Sequence, residues 1–472
     1  MQLPAYIKKV LTLLEEKGFV AYVVGGAVRD FMLDIQPKDY DIATNAVPET
    51  VCAIAEDNGL KIVQNLGQNF GVVLLVVEDR QVEVGTFRSE KYGVDAHRPQ
   101  SVTFCQTLEE DLLRRDFTIN AMAVDKEGNI FDPHSGKDDL FAGILKTVGE
   151  ARKKFAEDAL RMFRACRFCA QLGFLPDKEL LAAMLSEVER AQGLSLARVK
   201  DELEKTLLAK HVDIGIQFFV KSGLASQQVT VRENGNTGNI AILPELKNLM
   251  IVKESKCVDQ YAVWQHTLTA LSLSKQELVV RWCILLHDMG RGYDSIKKEE
   301  VFQPHIFMTR DCFAAELARK ILARFGYGKI FIDKAVWLLL NHTKFISFLR
   351  SDEAIVRRWL KEEVRKGYFN SSQELYQLVE KLCEVCLADI AAKRSLEENI
   401  MIFREFGYMI VAYAANMPVH TSDLAIKGKD VLNFLPAKAV EKFLRDALAR
   451  VQDGDLKNTK SALMDFLVCY KI

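Results

Sequence analysis

A glycine turn followed by two aspartates is the first feature of the chain that could carry chemistry. The Gly-Gly pair at residues 25–26 follows the apolar run at residues 20–24, which predicts a buried strand whose turn brings backbone N–H groups close to a phosphate. A second strand is predicted at residues 38–42, with Asp39 and Asp41 on one face. Two such carboxylates suit a pair of Mg²⁺ ions, which stabilise the attacking and leaving oxygens of a phosphoryl transfer. The alternative is a solvated turn in which the aspartates cap backbone N–H groups.

A second charged segment covers residues 110–121 and lies beside an apolar, strand-like run. Its adjacent Arg114 and Arg115 could hold a triphosphate or the ribose side of a nucleotide. We expect Asp116 to orient one of these arginines. The alternative is a helix end whose charges are solvated.

A third segment, residues 157–168, predicts a helix with Asp158 and Arg161 on one face and with Arg164 and Arg167 continuing the stripe. A carboxylate accepts from the exocyclic amino group of cytosine or adenine, and a guanidinium donates to the neighbouring ring acceptor. Uracil and guanine have the opposite polarity at these positions, so one Asp–Arg pair could select C and A without a template. The alternative is an exposed ion pair that contributes only ~0.3 kcal/mol.

Composition sets the frame for these segments. The chain has 472 residues, of which 49% are apolar and 27% charged, as in a soluble protein of more than one domain. No signal peptide is expected, and the sequence has no apolar run of the ~18 residues needed to cross a bilayer. The net charge of -1 means that any nucleic-acid surface must be local. Ten cysteines without a disulfide-like framework indicate the reducing cytosol, and the Cys-x-x-Cys pairs at 166/169 and 383/386 are interpreted as core thiols rather than zinc or redox sites.

Patterning divides the chain into an α/β part and a helical part. Short β-type runs, such as those at residues 71–77 and 81–84, dominate the first ~148 residues. From Arg152 onward the pattern is mostly helical, and residues 234–238 form the clearest loop.

Taken in order, these segments resemble a known family. Residues 25–30, 39–41, 114–121 and 157–161 are similar to the ordered motifs of the class II tRNA nucleotidyltransferase and bacterial poly(A) polymerase family, and residues 197–203 resemble its last neck motif. The resemblance implies an α+β fold. In that fold a small polymerase-β-like nucleotidyltransferase head with a mixed sheet precedes an all-α neck, an HD body and a tail.

The resemblance also implies roles for single residues. Asp39 and Asp41 would be the catalytic carboxylates that hold Mg²⁺, and Glu83 on a neighbouring strand would help to hold a metal. Asp158 and Arg161 would read the base. The full nucleotide-binding set would be Gly25, Gly26, Arg29, Arg114, Arg115, Asn120, Asp158, Arg161, Arg164 and Arg167.

The second half of the chain resembles the HD phosphohydrolase superfamily. Its expected metal ligands are His266, His287, Asp288 and Asp389, with His305 and His342 as possible additions. Histidine and carboxylate ligands suit a divalent transition metal such as Ni²⁺, Mn²⁺, Co²⁺ or Fe, which would activate water on a phosphate ester. The chain departs from that superfamily in having Arg291 where lysine is usual and Pro304 where glycine is usual.

Two features that are less specific than the motifs indicate which nucleotides are added. Residues 86–99 resemble the flexible loop of family members that add the terminal A, and residues 67–71 resemble the strand of CCA-type members. The expected domains are a nucleotidyltransferase head at 1–148, a helical neck and RNA-binding region at 149–235, an HD metal-dependent phosphohydrolase domain at 236–400 and a helical tail at 401–472.

The resemblance therefore implies a cytoplasmic enzyme that adds C, C and A to the 3′ end of tRNA from CTP and ATP, with an accessory HD phosphohydrolase activity. No membrane and no obligate protein partner is expected. One alternative is an enzyme that adds only A, or a poly(A) polymerase. Alternatives of other classes are an HD phosphohydrolase whose head only binds RNA, and an RNA-binding scaffold.

Overall fold

The computed structural model describes residues 2–63, 71–92, 99–233, 236–251, 262–295, 309–393 and 397–470. The chain divides into two compact units, Met1–Pro244 and Glu245–Ile472. In the described residues, no helix is both long enough and apolar enough to span a membrane. The division at 244/245 falls nine residues after the predicted end of the neck, and the finer four-part organisation remains a prediction.

The first unit contains the strands of the described chain. They are β1 (Ala21–Val24), β2 (Asp41–Thr44), β3 (Lys61–Val63), β4 (Val72–Val77), β5 (Arg80–Thr86), β6 (Arg88–Tyr92), β7 (Pro99–Phe104), β8 (Ala123–Val124), β9 (Ile130–Phe131), β10 (Ile144–Leu145), β11 (Leu175–Pro176), β12 (Gln228–Glu233) and β13 (Asn236–Ala241).

The first helices of this unit pack against strands of the sheet, and the later helices form the neck. They are α1 (Ala5–Glu16), α2 (Gly26–Met32), α3 (Pro48–Asp57), α4 (Leu108–Leu113), α5 (Gly136–Ala142), α6 (Ala151–Glu157), α7 (Leu160–Leu172), α8 (Lys178–Glu187), α9 (Leu196–Leu207) and α10 (Val212–Lys221).

A seven-stranded sheet in the order β3-β4-β5-β2-β1-β8-β9 forms the head. The pair β2–β5 is parallel, and the other pairs are antiparallel. Strand β4 is a continuous apolar run whose alternate side chains are buried, as expected where one face of a sheet packs on a core. The predicted mixed sheet is confirmed.

The neck is built around α7, which packs against α9 and α10. Helix α7 ends at Gly173, whose φ of 74° is the left-handed conformation that glycine adopts without strain. The neck is not all helical, because β12 and β13 form an antiparallel hairpin. The run Gln-Val-Thr-Val-Arg-Glu in β12 alternates β-branched with polar residues, a pattern that favours a strand.

Every regular element in the described part of the second unit is a helix. Its helices are α11 (Leu246–Ile251), α12 (Ala262–Leu273), α13 (Leu278–Leu286), α14 (Arg310–Arg324), α15 (Lys329–Ser347), α16 (Glu353–Arg365), α17 (Ser372–Ala392), α18 (Glu397–Asn416), α19 (Gly428–Val431), α20 (Ala437–Asp453) and α21 (Lys460–Val468), and a 3₁₀ helix, His287–Ser295, follows α13.

Helix α17 is central to this unit and packs against α12, α13, α15 and α18. The last three helices share a separate apolar cluster that includes Ile426, Val431, Phe443 and Leu463. The predicted helical body and tail are confirmed as helical. The long α17 carries Asp389, which lies beside His266 of α12.

Candidate active sites

Two carboxylates lie side by side on strands β2 and β5 of the head. Asp41 is the first residue of β2, and Glu83 is its partner in the parallel register. Paired residues of neighbouring strands point to the same face, and both of these are exposed. Local desolvation raises the pKa of Asp41, the charge of Glu83 raises it further, and Arg115 lowers it. This concentration of anionic oxygen atoms fits the donor preference of Mg²⁺.

Asp39 lies outside the strand, so the predicted strand at 38–42 is wrong in its start. Strand β2 begins only at Asp41, which pairs with Val24 at the end of β1. Beyond Val24 the chain turns away at Gly25, so residues before Asp41 have no strand partner on that side. Asp39 is exposed, and its negative charge still contributes to the raised pKa of Asp41.

The turn after β1 requires glycine. Gly25 has φ of 75°, and a Cβ there would lie 3.1 Å from Nη1 of Arg115. Helix α2 starts directly after it and carries Arg29, whose Nη1 donates to Oδ1 of Asn120 at 2.6 Å and whose Nη2 donates to Oδ1 of Asp30 at 2.6 Å. Asn120 therefore orients a guanidinium that comes from a different motif.

Asp111, and not the predicted Asp116, orients the adjacent Arg114 and Arg115. Its Oδ1 accepts from Nε of Arg114 at 2.9 Å, and its Oδ2 accepts from Nη2 of Arg115 at 3.2 Å. Burial raises the pKa of Asp111, but the charges of the two arginines more than offset this and hold it below its ordinary value. Nε of Arg115 is buried and has no hydrogen-bond partner among the described residues. The spacing of three and four residues on a helix was the signal that could have identified Asp111.

The hairpin of β6 and β7 is connected to this arginine pair. Oε1 of Glu90 on β6 accepts from Nη1 of Arg114 and from Nε of Arg88, each at 3.1 Å. Residues 93–98 and 64–70 fall outside the described residues, so the predicted flexible loop and CCA-type strand are described only in part.

Asp158 and Arg161 do not pair, contrary to the predicted shared helix face. Asp158 is extended, with φ of -143°, between α6 and α7. Its Oδ2 accepts from Nη2 of Arg198 at 3.0 Å, and its Oδ1 accepts from the backbone N–H of Leu160 at 3.0 Å. Arg161 is buried and donates to Glu157 and to the carbonyl oxygens of Lys154 and Arg114, both at 3.1 Å. An aspartate is favoured before the first turn of a helix, which explains the extended backbone.

Arg164 and Arg167 are each held by a buried carboxylate. Asp116 accepts from Nε of Arg164 at 2.7 Å, and Glu202 on α9 accepts from Nε of Arg167 at 2.6 Å. Burial raises the pKa of Asp116, but the charge and hydrogen bonds of Arg164 more than offset it and lower the pKa to about 2. The predicted stripe of arginines is therefore fixed in place by groups from other segments.

One cavity of about 560 Å³ collects most of the predicted site residues. A nucleoside triphosphate is highly anionic, and a cavity of this size lined by guanidinium groups suits such a ligand. Glu83 lines an adjoining cavity of about 190 Å³ that also contains Asp41, Arg114 and Arg115. The predicted residues that line the larger cavity are Gly25, Gly26, Arg29, Asp41, Arg114, Arg115, Asn120, Asp158, Arg161, Arg164 and Arg167, joined by Arg88, Glu90, Asp116, Leu160, Phe168 and Arg198.

The second unit brings four of its predicted ligands together. Nε2 of His266 on α12 lies 2.9 Å from Oδ1 of Asp389 on α17 and 3.3 Å from Nε2 of His287. One ligand atom from each of His266, His287 and Asp288 lies within 4.8 Å of the others. His287 is oriented by its Nδ1, which lies 2.7 Å from the carbonyl oxygen of Ile284.

The charges of this cluster fit a bound cation. Burial lowers the pKa of His287, but the carboxylates of Asp288 and Asp389 more than offset this and raise it to about 9. Oδ2 of Asp288 is buried and accepts no hydrogen bond from the described residues. Two imidazoles and two carboxylates converging in this way match the donor set of a divalent transition metal.

A pocket of about 370 Å³ opens beside this cluster. His342 on α15 lines it, with its ring 5.8 Å from that of His287. Arg291 donates from Nε to Oδ1 of Asp288 at 2.6 Å, and Lys393 donates to Oδ2 of Asp389 at 2.7 Å. The other predicted addition, His305, lies outside the described residues, as does Pro304.

Comparison with known proteins identifies the class. Residues 21–146 match the family described as the Poly A polymerase head domain. The CCA-adding enzyme of Streptococcus uberis is 36% identical over 284 residues, which cover 60% of this chain and 68% of that protein. The CCA-adding enzyme of Geobacillus stearothermophilus is 41% identical over 215 residues, which cover 46% of this chain and 52% of that protein. The matched regions thus cover between about half and two thirds of the length of these relatives.

The similarity in fold to a solved CCA-adding enzyme extends over nearly all of the chain. The crystal structure of the Bacillus stearothermophilus CCA-adding enzyme in complex with CTP superposes with a TM-score of 0.63 and 26% identity, covering 98% of this chain and 96% of that one. The mixed sheet, its paired carboxylates and the arginine-lined cavity define a nucleotidyltransferase with a poly(A) polymerase-type head. Within that class, the chain belongs to the family of CCA-adding enzymes.

Proposed function

We propose that this chain adds C, C and A to the 3′ end of tRNA, using CTP and ATP and releasing pyrophosphate. The observation that carries the proposal is the single cavity in which Asp41, six predicted arginines and Asp158 meet. Its relatives are named as CCA-adding enzymes, and the solved relative that resembles it over its whole length holds CTP. A tRNA substrate would place the activity in the cytoplasm.

The reaction would proceed by attack of the tRNA 3′-hydroxyl oxygen on the α-phosphorus of the nucleotide. The new P–O bond forms as the bond to pyrophosphate breaks, and the hydroxyl proton is lost to solvent. The motif arginines would bind the triphosphate, because planar guanidinium groups match phosphate oxygens in pairs. Asp39, Asp41 and Glu83 would hold Mg²⁺, which when bound supplies positive charge against the negative charge that develops in the transition state.

Base selection would depend on the acceptor at Asp158. A carboxylate oxygen has two lone pairs, so Oδ2 can accept from the amino group of cytosine or adenine while it still accepts from Arg198. Arg161 would contribute a donor only after giving up one of its present carbonyl partners. Uracil and guanine would then be rejected because they have a carbonyl where the amino group must lie.

The test is an addition assay on tRNAs that end before CCA, after the first C, and after CC, each with one labelled nucleotide. A CCA-adding enzyme incorporates two C and then one A. An enzyme that adds only A extends only the CC-ended tRNA, and a poly(A) polymerase continues past the first A. Failure of all three tRNAs with every nucleotide would contradict the proposal.

We propose as a second function that the second unit hydrolyses a phosphate ester with a divalent transition metal. The cluster of His266, His287, Asp288 and Asp389 supports it, and so does the buried Oδ2 of Asp288, which accepts no hydrogen bond from the described residues. The metal when bound would activate a water molecule for attack on phosphorus. Arg291 and Lys393 line the pocket and could bind the anionic phosphate oxygens. A 2′,3′-cyclic phosphate or a phosphomonoester at an RNA end fits this chemistry.

Metal analysis of the purified protein tests this second function, together with a hydrolysis screen using Ni²⁺, Mn²⁺, Co²⁺ and Fe²⁺. We expect one transition-metal equivalent and hydrolysis of at least one of these esters. His287→Ala should lose both, whereas His211→Ala on the first unit should lose neither. Absence of bound metal and of hydrolysis with every ion would leave the second unit as a structural body.

A further inference from the structure

The ring of Phe168 contacts three arginines that line the larger cavity of the head. Its ring centroid is 4.2 Å from the Cζ of Arg167, 5.4 Å from that of Arg29 and 5.5 Å from that of Arg164. Arg164 and Arg167 share helix α7 with Phe168, whereas Arg29 comes from α2 and is brought to the same ring by the tertiary fold. We propose that Phe168 is a positioning residue that holds these three guanidiniums in the arrangement that binds the triphosphate.

The ring is suited to this role by its own fixation. Phe168 is only 5% exposed, although it lines the cavity. The fully buried ring of Phe117 packs against it edge to face, with centroids 5.5 Å apart. An aromatic ring that is held in this way presents the negative face of its quadrupole to nearby cations. The ring is also less mobile than a long aliphatic side chain would be at this position.

Hydrogen bonds hold these arginines through their N–H groups, and the contact with the ring is a separate restraint on the same guanidiniums. Asp116 accepts from Arg164, Glu202 and Gln171 accept from Arg167, and Asn120 and Asp30 accept from Arg29. Three like charges around one centre also repel one another, and contact with a common ring opposes that repulsion. The role of Phe168 rests on the proposed nucleotide-binding function of this cavity.

The experiment compares Phe168→Leu and Phe168→Tyr with the wild type. Binding of inorganic tripolyphosphate is measured by calorimetry, and KM for CTP and ATP is measured in the addition assay. We expect Phe168→Leu to raise the tripolyphosphate Kd and both KM values about tenfold, with discrimination against UTP unchanged. Phe168→Tyr keeps the ring face and should stay within about twofold of the wild type. Phe163→Leu is the matched control, because Phe163 is buried in the same helix against Phe219 and does not line the cavity.

An unchanged Kd in Phe168→Leu, or an equal rise in Phe163→Leu, would overturn the inference. If Phe168→Leu does not fold, 3,5-difluorophenylalanine at position 168 keeps the shape and weakens the ring quadrupole. An affinity for tripolyphosphate below that of the wild type would then support the inference, and an equal affinity would overturn it. A wild-type protein that binds tripolyphosphate but adds no nucleotide would contradict the proposed function and leave the role of Phe168 in phosphate binding intact.

Discussion

Arg198 binds Asp158 across forty residues of sequence, with Nη2 of the arginine 3.0 Å from Oδ2 of the carboxylate. Arg198 is at the start of α9, and Asp158 precedes α7. Two helices of the neck therefore fix the position of the acceptor that is proposed to read the base. Arg161, the partner expected from sequence, instead binds backbone carbonyl groups.

We predict that Asp158→Ala reduces the discrimination of CTP against UTP about ten- to a hundredfold, the effect of losing one charge-assisted hydrogen bond. Arg198→Ala should have a smaller effect in the same direction, because Asp158 remains but is free to rotate. The double variant should be no worse than Asp158→Ala. The measurement is the ratio of kcat/KM for the two nucleotides. Arg190→Ala, which removes an exposed pair with Glu187, is the control. Undiminished discrimination in Asp158→Ala would show that another group reads the base.

Glu83→Gln should weaken the binding of Mg²⁺ in the head. The substitution keeps the size of the side chain but removes a charge directly beside Asp41 in the strand register. We expect the Mg²⁺ concentration for half-maximal addition to rise several-fold, with little change in thermal stability, because Glu83 is exposed. Glu56→Gln, at an exposed position on α3, should leave this concentration unchanged. Equal Mg²⁺ dependence in the two variants would exclude Glu83 from the metal site.

Asp116 should stabilise the first unit in a pH-dependent way. Its pKa of about 2 in the folded chain is below the ordinary value of 3.8, so its contribution is present above pH 4 and is lost as the pH falls towards 2. A shift of this size corresponds to about 2 kcal/mol. Asp116→Asn should therefore lower the opening free energy of α7 at pH 7, measured by hydrogen exchange corrected for the intrinsic rate. The difference from the wild type should shrink between pH 5 and pH 3, and a difference that is constant with pH would contradict the assignment.

The two active sites should be separable by substitution. His287→Ala should abolish metal binding and hydrolysis by the second unit while nucleotide addition continues, and Asp41→Ala should do the reverse. The reason is that the ligands of the two sites come from different units. Both activities are measured on each variant. Loss of both activities in either variant would indicate one shared site or a shared loss of fold.

Much of the first site could be predicted because its residues lie in short runs whose types and spacing already indicate chemistry. Asp41, Arg114 and Arg115 belong to such runs, and the structure places all three in one cavity. The β-type runs predicted the strand-rich first part of the chain, since a strand of alternating burial leaves a clear pattern in sequence. The mixed sheet itself was implied by the family resemblance.

The partners of these residues could not be predicted in the same way. Glu83 was predicted to lie on a neighbouring strand, but its pairing with Asp41 comes from the parallel register of the two strands. Arg198 meets Asp158 only through the packing of two helices. Arg164 and Arg167 lie four residues and one residue before Phe168 on α7, but the approach of Arg29 to the same ring comes only from the tertiary fold. Tertiary contacts of this kind leave no local spacing, whereas Asp111 did leave one, at three and four residues before its arginines.

The most direct test of the proposed nucleotidyl transfer is a single-turnover measurement of CMP addition to a tRNA that lacks CCA. The wild type and Asp41→Ala are compared at saturating Mg²⁺, and circular dichroism verifies the fold of each. Asp41 is an exposed residue at the start of β2 and a proposed metal ligand. For Asp41→Ala the account therefore predicts a normal fold and a rate of CMP addition reduced by at least about a thousandfold. A rate for Asp41→Ala near that of the wild type, with the same Mg²⁺ dependence, would contradict it.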